Sequence, residues 1–186
     1  MKILHLLPLL IVACTPPAGT DTDGVGATAA DTISATVMAG RIRVQEDSLF
    51  ASKIFDRPGA MAMLGVYEAF VRTFPKDTIA PEYLFRAAGL AKALGNADRG
   101  VQLYDRIITE YPSWRRITSA YYMKAFTIDD GLNDKEAAKK AYEEVIARFP
   151  DHAFAKDSRA MIENLQYTDE ELIERFKRME QGQASQ

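Results

Sequence analysis

One phrase is written three times along this chain, as GVYEAFVRTFP at 65–75, QLYDRIITEYP at 102–112 and KAYEEVIARFP at 140–150. In each copy a tyrosine (Tyr67, Tyr104, Tyr142) is followed by apolar residues three and four positions on: Phe70/Val71, Ile107/Ile108 and Val145/Ile146. An aromatic follows at seven (Phe74, Tyr111, Phe149), and the whole spacing is one stripe of an α-helix. A proline comes directly after, and proline disfavours helical geometry in the residue before it, so each phrase predicts a helix with a fixed buried face and a fixed stop. The stops at Pro75, Pro112 and Pro150 give periods of 37 and 38 residues, a length that signals stacked supersecondary units.

Two helices fit each period. PEYLFRAAGLAKAL (81–94) predicts a first helix with proline at its tolerated first position, after which Gly95-Asn96 turns the chain into the phrase helix. RITSAYYMKAFTIDDGL (116–132) predicts the next first helix, and Asn133-x-x-Glu136 predicts a capping box opening the one after it. A leading half-unit at about 44–74 precedes these hairpins. DHAFAKDSRAMIENL (151–165) and TDEELIERFKRM (168–179) predict terminal helices, the latter with Thr168-x-x-Glu171 as its capping box. The folded region so read spans 42–180 and is all-α.

These residues resemble the tetratricopeptide repeat, whose pattern is W-x₂-L-G-x₂-Y…A-x₃-F…P. Ala138-x₃-Tyr142 ending at Pro150 follows it closely, Gly100-x₃-Tyr104 ending at Pro112 keeps the small residue and the aromatic, and Met63-x₃-Tyr67 ending at Pro75 carries a larger residue in the small position. In the first-helix half the four matching positions are Leu84, Ala87, Ala88 and Ala91 in one unit and Tyr122, Ala125, Phe126 and Asp129 in the other. Phe126 stands where the family prefers glycine, which implies looser or differently angled packing, and extra residues near 115–118 lengthen that unit. The resemblance covers roughly 60–165 and implies antiparallel helical hairpins stacked as a short solenoid. It further implies a concave face lined by the first helices, carried here onto Glu82, Phe85, Gly89 and Lys92 in one unit and Ala120, Met123, Thr127 and Asp130 in the next. Phe85 and Met123 would face this groove, bordered by Glu82, Lys92 and Asp130; the alternative is that both are buried under the neighbouring hairpin.

The amino-terminal run reads differently. Met1-Lys2 followed by ILHLLPLLIVA (3–13) is too short to cross a hydrocarbon core, which takes ~20 helical residues, and fits the apolar region of a signal peptide at 1–13. Ile11-Val12-Ala13-Cys14 resembles the bacterial lipobox, which implies acylation of Cys14, and two or more acyl chains make membrane attachment stable. TPPAGTDTDGVGATAADT (15–32) has no aromatic and one branched aliphatic, so a disordered tether is expected over 14–41. Signal, tether and degenerate repeats together resemble bacterial envelope lipoproteins of the tetratricopeptide class, distantly similar in style to the outer-membrane assembly lipoprotein BamD. That resemblance implies protein partners in the bacterial cell envelope, a membrane reached through the lipid anchor, and a site on the outer membrane facing the periplasm or cell surface.

Other functions find little support. The formal net charge of −3, or −4 once Lys2 is removed with a leader (22 basic against 26 acidic residues), gives no clustered positive charge for phosphate, so nucleic acid is not expected. Of the two histidines His5 lies in the leader and His152 stands alone beside Pro150, so no histidine pair can hold a metal or serve a serine nucleophile. Asp129-Asp130 with Asp134 and Glu136 lacks the order of a calcium loop and reads as a solvated turn. GVGATA (24–29) lacks a third glycine, and Trp114 of Trp114-Arg115-Arg116 reads as a packing residue rather than an anion site. The expectation is a non-enzymatic scaffold with no cofactor, binding proteins or peptides. The competing expectation is a carrier of a small ligand or cell-wall fragment, distinguished by a closed apolar pocket in place of an open groove.

Overall fold

The computed structural model describes residues 33–51 and 54–183; the expected leader, Cys14 and the run at 24–29 lie outside the described residues. Among the described residues every regular element is helical: α1 (Ala35–Phe50), α2 (Arg57–Thr73), α3 (Ala80–Ala93), α4 (Ala97–Glu110), α5 (Ile117–Phe126), a π turn (Thr127–Gly131), α6 (Lys135–Arg148), α7 (Ala153–Asn164) and α8 (Asp169–Gln183). Neighbours in the chain are neighbours in space, so α1/α2, α3/α4 and α5/α6 form successive hairpins and α7 packs on α6 and α5. The result is a short helical solenoid.

The repeated phrase is the second helix of each hairpin. Tyr67, Tyr104 and Tyr142 are 1%, 1% and 0% exposed, while Phe74, Tyr111 and Phe149 are half-buried at the helix ends. Tyr111 also donates its hydroxyl to the Pro75 carbonyl at 2.7 Å, tying one stop to the preceding one. Small residues let the helices close on each other: Ala87, Ala88 and Ala91 are fully buried, and a Cβ at Gly100 would stand 3.1 Å from the Ala88 carbonyl.

The turns of the α3/α4 and α5/α6 hairpins use the same device, a residue in the left-handed region followed by a side-chain cap. Gly95 has φ +83°, and Asn96 Oδ1 accepts the Arg99 N–H at 3.1 Å. Asn133 has φ +54°, and Asp134 Oδ1 accepts the Ala137 N–H at 2.9 Å. The expected capping box on Asn133 is therefore one residue out of register: Asn133 turns the chain and Asp134 caps. The box at Thr168 and Glu171 forms with both reciprocal bonds, at 2.9 and 3.3 Å.

Three boundaries differ from the sequence reading. Residues 35–41 are helix rather than tether, started by Ser34, whose Oγ accepts the Val37 N–H. The leading half-unit is a whole hairpin, because Ala35, Met38, Ile42 and Leu49 recur at helical spacing and lie on the core. That stripe is sparse and carries small residues, and only Ile42 is fully buried on α1, which is why the run reads as polar chain. Finally, the helix expected over 116–132 changes to a π turn after Phe126. Seventeen residues separate the starts of α3 and α4 and eighteen those of α5 and α6, and a π turn absorbs one extra residue without breaking the helix. Gly131 is required there, since a Cβ would come within 2.7 Å of Ala97 Cβ.

Candidate binding cleft

Two seams separate successive first helices, and they differ. Between α3 and α5 side chains fill the middle of the seam and leave a smaller recess of about 510 Å³ at its Glu82–Arg116 end. Phe85 is half-buried, edge-on to Tyr104 at 5.5 Å and 5.6 Å from Trp114, and the Arg116 guanidinium lies 4.6 Å from the Phe85 ring. Met123 is half-buried against the same core. At the other end of this seam Lys92 pairs with Asp130 at 2.5 Å and covers the Phe126 ring at 4.1 Å. Of the residues expected to border or line a groove, Lys92 and Asp130 are thus brought together, and Glu82, Phe85 and Met123 are engaged in holding hairpins to each other. Trp114 takes its place in this packing.

Between α1 and α3 the space is open. A cleft of about 840 Å³ is lined by Phe50 and Phe55 on one side and by Gly89, Leu90 and Ala93 on the other. Phe50 and Phe55 are 63% and 55% exposed, and a Cβ at Gly89 would meet nothing within 4 Å, so the apolar walls face solvent rather than each other. The cause is local: α3 presents glycine and alanine where it faces α1.

A chain of charges ties these helices together. Arg86 Nη1 donates to Glu46 Oε1 at 2.5 Å and its Nε donates to Glu82 Oε1 at 3.2 Å, while Arg116 Nη1 donates to both Glu82 oxygens at 3.0 and 2.8 Å. At the cleft floor Tyr67 donates its hydroxyl to Glu46 Oε1 at 2.6 Å. Burial, then the bond to the Glu46 carboxylate and its charge, hold the Tyr67 phenol well above its ordinary range. Burial disfavours the Arg86 charge, but Glu46 and Glu82 outweigh it and keep the guanidinium protonated. The cleft offers apolar walls, one phenol–carboxylate–guanidinium strut and the exposed Asp47 carboxylate, and no nucleophile–base pair. Among the described residues no group of three or more His, Cys, Asp or Glu could hold a metal ion.

Asp129, Asp134 and His152 each have a structural partner. Asp129 accepts the Tyr142 hydroxyl at 3.3 Å, and its carboxyl is raised above the usual range by burial. Asp134 caps α6, and His152 caps α7, accepting the Phe154 N–H on Nδ1 at 3.1 Å. The sequence reading missed Glu46, Phe50, Phe55, Leu90 and Ala93 as cleft residues. Gly89 was placed on the concave face by position, but its being glycine was the available signal for an opening.

Compared with known families, residues 82–113 and 119–152 match the tetratricopeptide repeat. No curated protein matches the chain. The chain contains tetratricopeptide repeats, and these commonly mediate protein–protein interaction.

Proposed function

We propose that this protein is a non-enzymatic scaffold of the bacterial envelope, anchored through lipid on Cys14, that holds an extended or helical peptide segment of another envelope protein in the cleft between α1 and α3. The observation that carries the reading is the exposure of Phe50 and Phe55 opposite Gly89 and Ala93: apolar walls left open to solvent are what a partner side chain fills. The cleft opens along its length, which suits a peptide better than an enclosed small molecule.

Gly89→Trp tests this, because the position is exposed and the added ring would plug the cleft without entering the core. Cross-linked capture from the native envelope should lose its partner in Gly89→Trp while the unfolding temperature holds. A partner retained at wild-type yield would place binding elsewhere. The anchor is tested separately: the mass of the native protein should show loss of 1–13 with added acyl chains, and Cys14→Ser should abolish them. An unmodified native chain would remove the anchor and leave the cleft reading standing.

A further inference from the structure

The outer face of α1 carries a second apolar stripe. Its inner stripe (Ala35, Met38, Ile42, Leu49) lies on the core, and the opposite side presents Val37, Gly40 and Val44 at spacings of three and four, with Ala51 at the C-cap and Ile33 just ahead of the N-cap Ser34. Ile33, Val37 and Val44 are 40%, 49% and 69% exposed, and no atom lies within 4 Å of a Cβ built on Gly40. The terminal unit of a stacked array needs a polar outer face to stay soluble alone, and on α1 Val37 and Val44 break that face between its exposed charges. This face points away from α2, and it adjoins the cleft at Asp47 and Ala51, which line both.

We propose that this stripe docks on the same stripe of a second copy, with the two α1 helices antiparallel about a two-fold axis near Gln45. The charges select this arrangement. Arg43 and Asp47 are exposed, lack an ion-pair partner among the described residues, and lie along one edge of the stripe, two residues to either side of Gln45. An antiparallel two-fold keeps each edge beside its own copy and reverses its direction, so Arg43 meets the partner's Asp47, and symmetry repeats the contact. A parallel pairing would instead set each edge against the partner's opposite edge and leave Arg43 and Asp47 without this match. The Val44 side chains then lie close to the axis, with Gly40 leaving room for the backbones to approach.

A cysteine on a two-fold axis meets itself, which gives the test. In the full chain, Val44→Cys should give a covalent dimer under mild oxidation or with a short thiol cross-linker. Its yield should be severalfold above Gln102→Cys, an exposed position on α4, and above the wild-type chain with Cys14 alone. In the Val44→Cys background, Arg43→Asp or Asp47→Arg should each lower the yield severalfold, and the two together should restore it. The proposal is overturned if Val44→Cys cross-links no better than Gln102→Cys, or if the double reversal stays as low as the singles, which would mean unspecific apolar contact. Binding at the cleft is read by Gly89→Trp and stands or falls apart from this result.

Discussion

The α1–α3 seam and the α3–α5 seam are made by two sides of one helix, yet the first is open and the second is filled. On its α5 side α3 presents Glu82, Phe85 and Lys92, which reach across to Arg116, Trp114 and Asp130. On its α1 side it presents Gly89, Leu90 and Ala93, with Arg86 alone among the cleft-lining residues of α3 reaching Glu46. Both seams carry an ion pair, so charge does not distinguish them. Side-chain volume on α3 does: Phe85 closes one gap against Trp114, while Gly89 and Ala93 leave the other open in front of Phe50 and Phe55.

The largest effect should come from the filled side. Tyr104→Ala removes a fully buried ring from beneath Phe85, and a loss of about 3–5 kcal/mol is expected in denaturant unfolding. A loss under about 1 kcal/mol would mean the seam is held by its surface charges instead. Ile42→Ala should cost about 2–5 kcal/mol, but locally, because it is the one fully buried anchor of α1. Hydrogen exchange should then quicken in α1 and leave α3–α6 protected; uniform quickening would make the two seams one cooperative unit.

Alkaline pH should act on the same core. Burial pushes the Tyr104 phenol up to about 12 from an ordinary value of 10.0. A phenol whose folded value is raised favours folding fully below its unfolded value and loses that contribution as pH rises through the folded one. Stability should therefore fall between pH 10 and 12, by up to roughly 2–3 kcal/mol from this group. Tyr104→Phe should flatten part of that fall in a urea series taken across the window, and an unchanged slope would assign it to other groups. At the π turn, Gly131→Ala forces a Cβ to within 2.7 Å of Ala97 Cβ and should cost about 1–3 kcal/mol in thermal unfolding. Gly89→Ala should do the reverse, stabilising by about 0.5–1 kcal/mol, since it removes a helical glycine where there is space. Destabilisation by Gly89→Ala would show that the first seam is closed in solution.

Much of this was legible because it repeats. Three in-register phrases locate three buried tyrosines, and proline stops and glycine or asparagine turns mark where each helix ends. What escaped was carried by single letters whose meaning depends on neighbours. Asn133 and Asp134 are both good caps, and which of them turns and which caps follows from how the π turn delivers the chain. α1 was hidden because its contact with the core rests on Ala35, Met38, Ile42 and Leu49, too sparse to stand out without α2 beside it.

The sequence alone determined the helical class, the period and the buried face of each second helix, because spacing of three, four and seven fixes which side chains share a face before any partner is present. Tertiary structure decided which first-helix residues remain accessible. Phe85 and Phe50 are both aromatic residues on first helices, and no pattern within the chain separates them. Phe85 meets Trp114 and Arg116 from the next hairpin and is covered, while Phe50 meets a glycine and an alanine across α3 and is not, since exposure is set by what stands opposite.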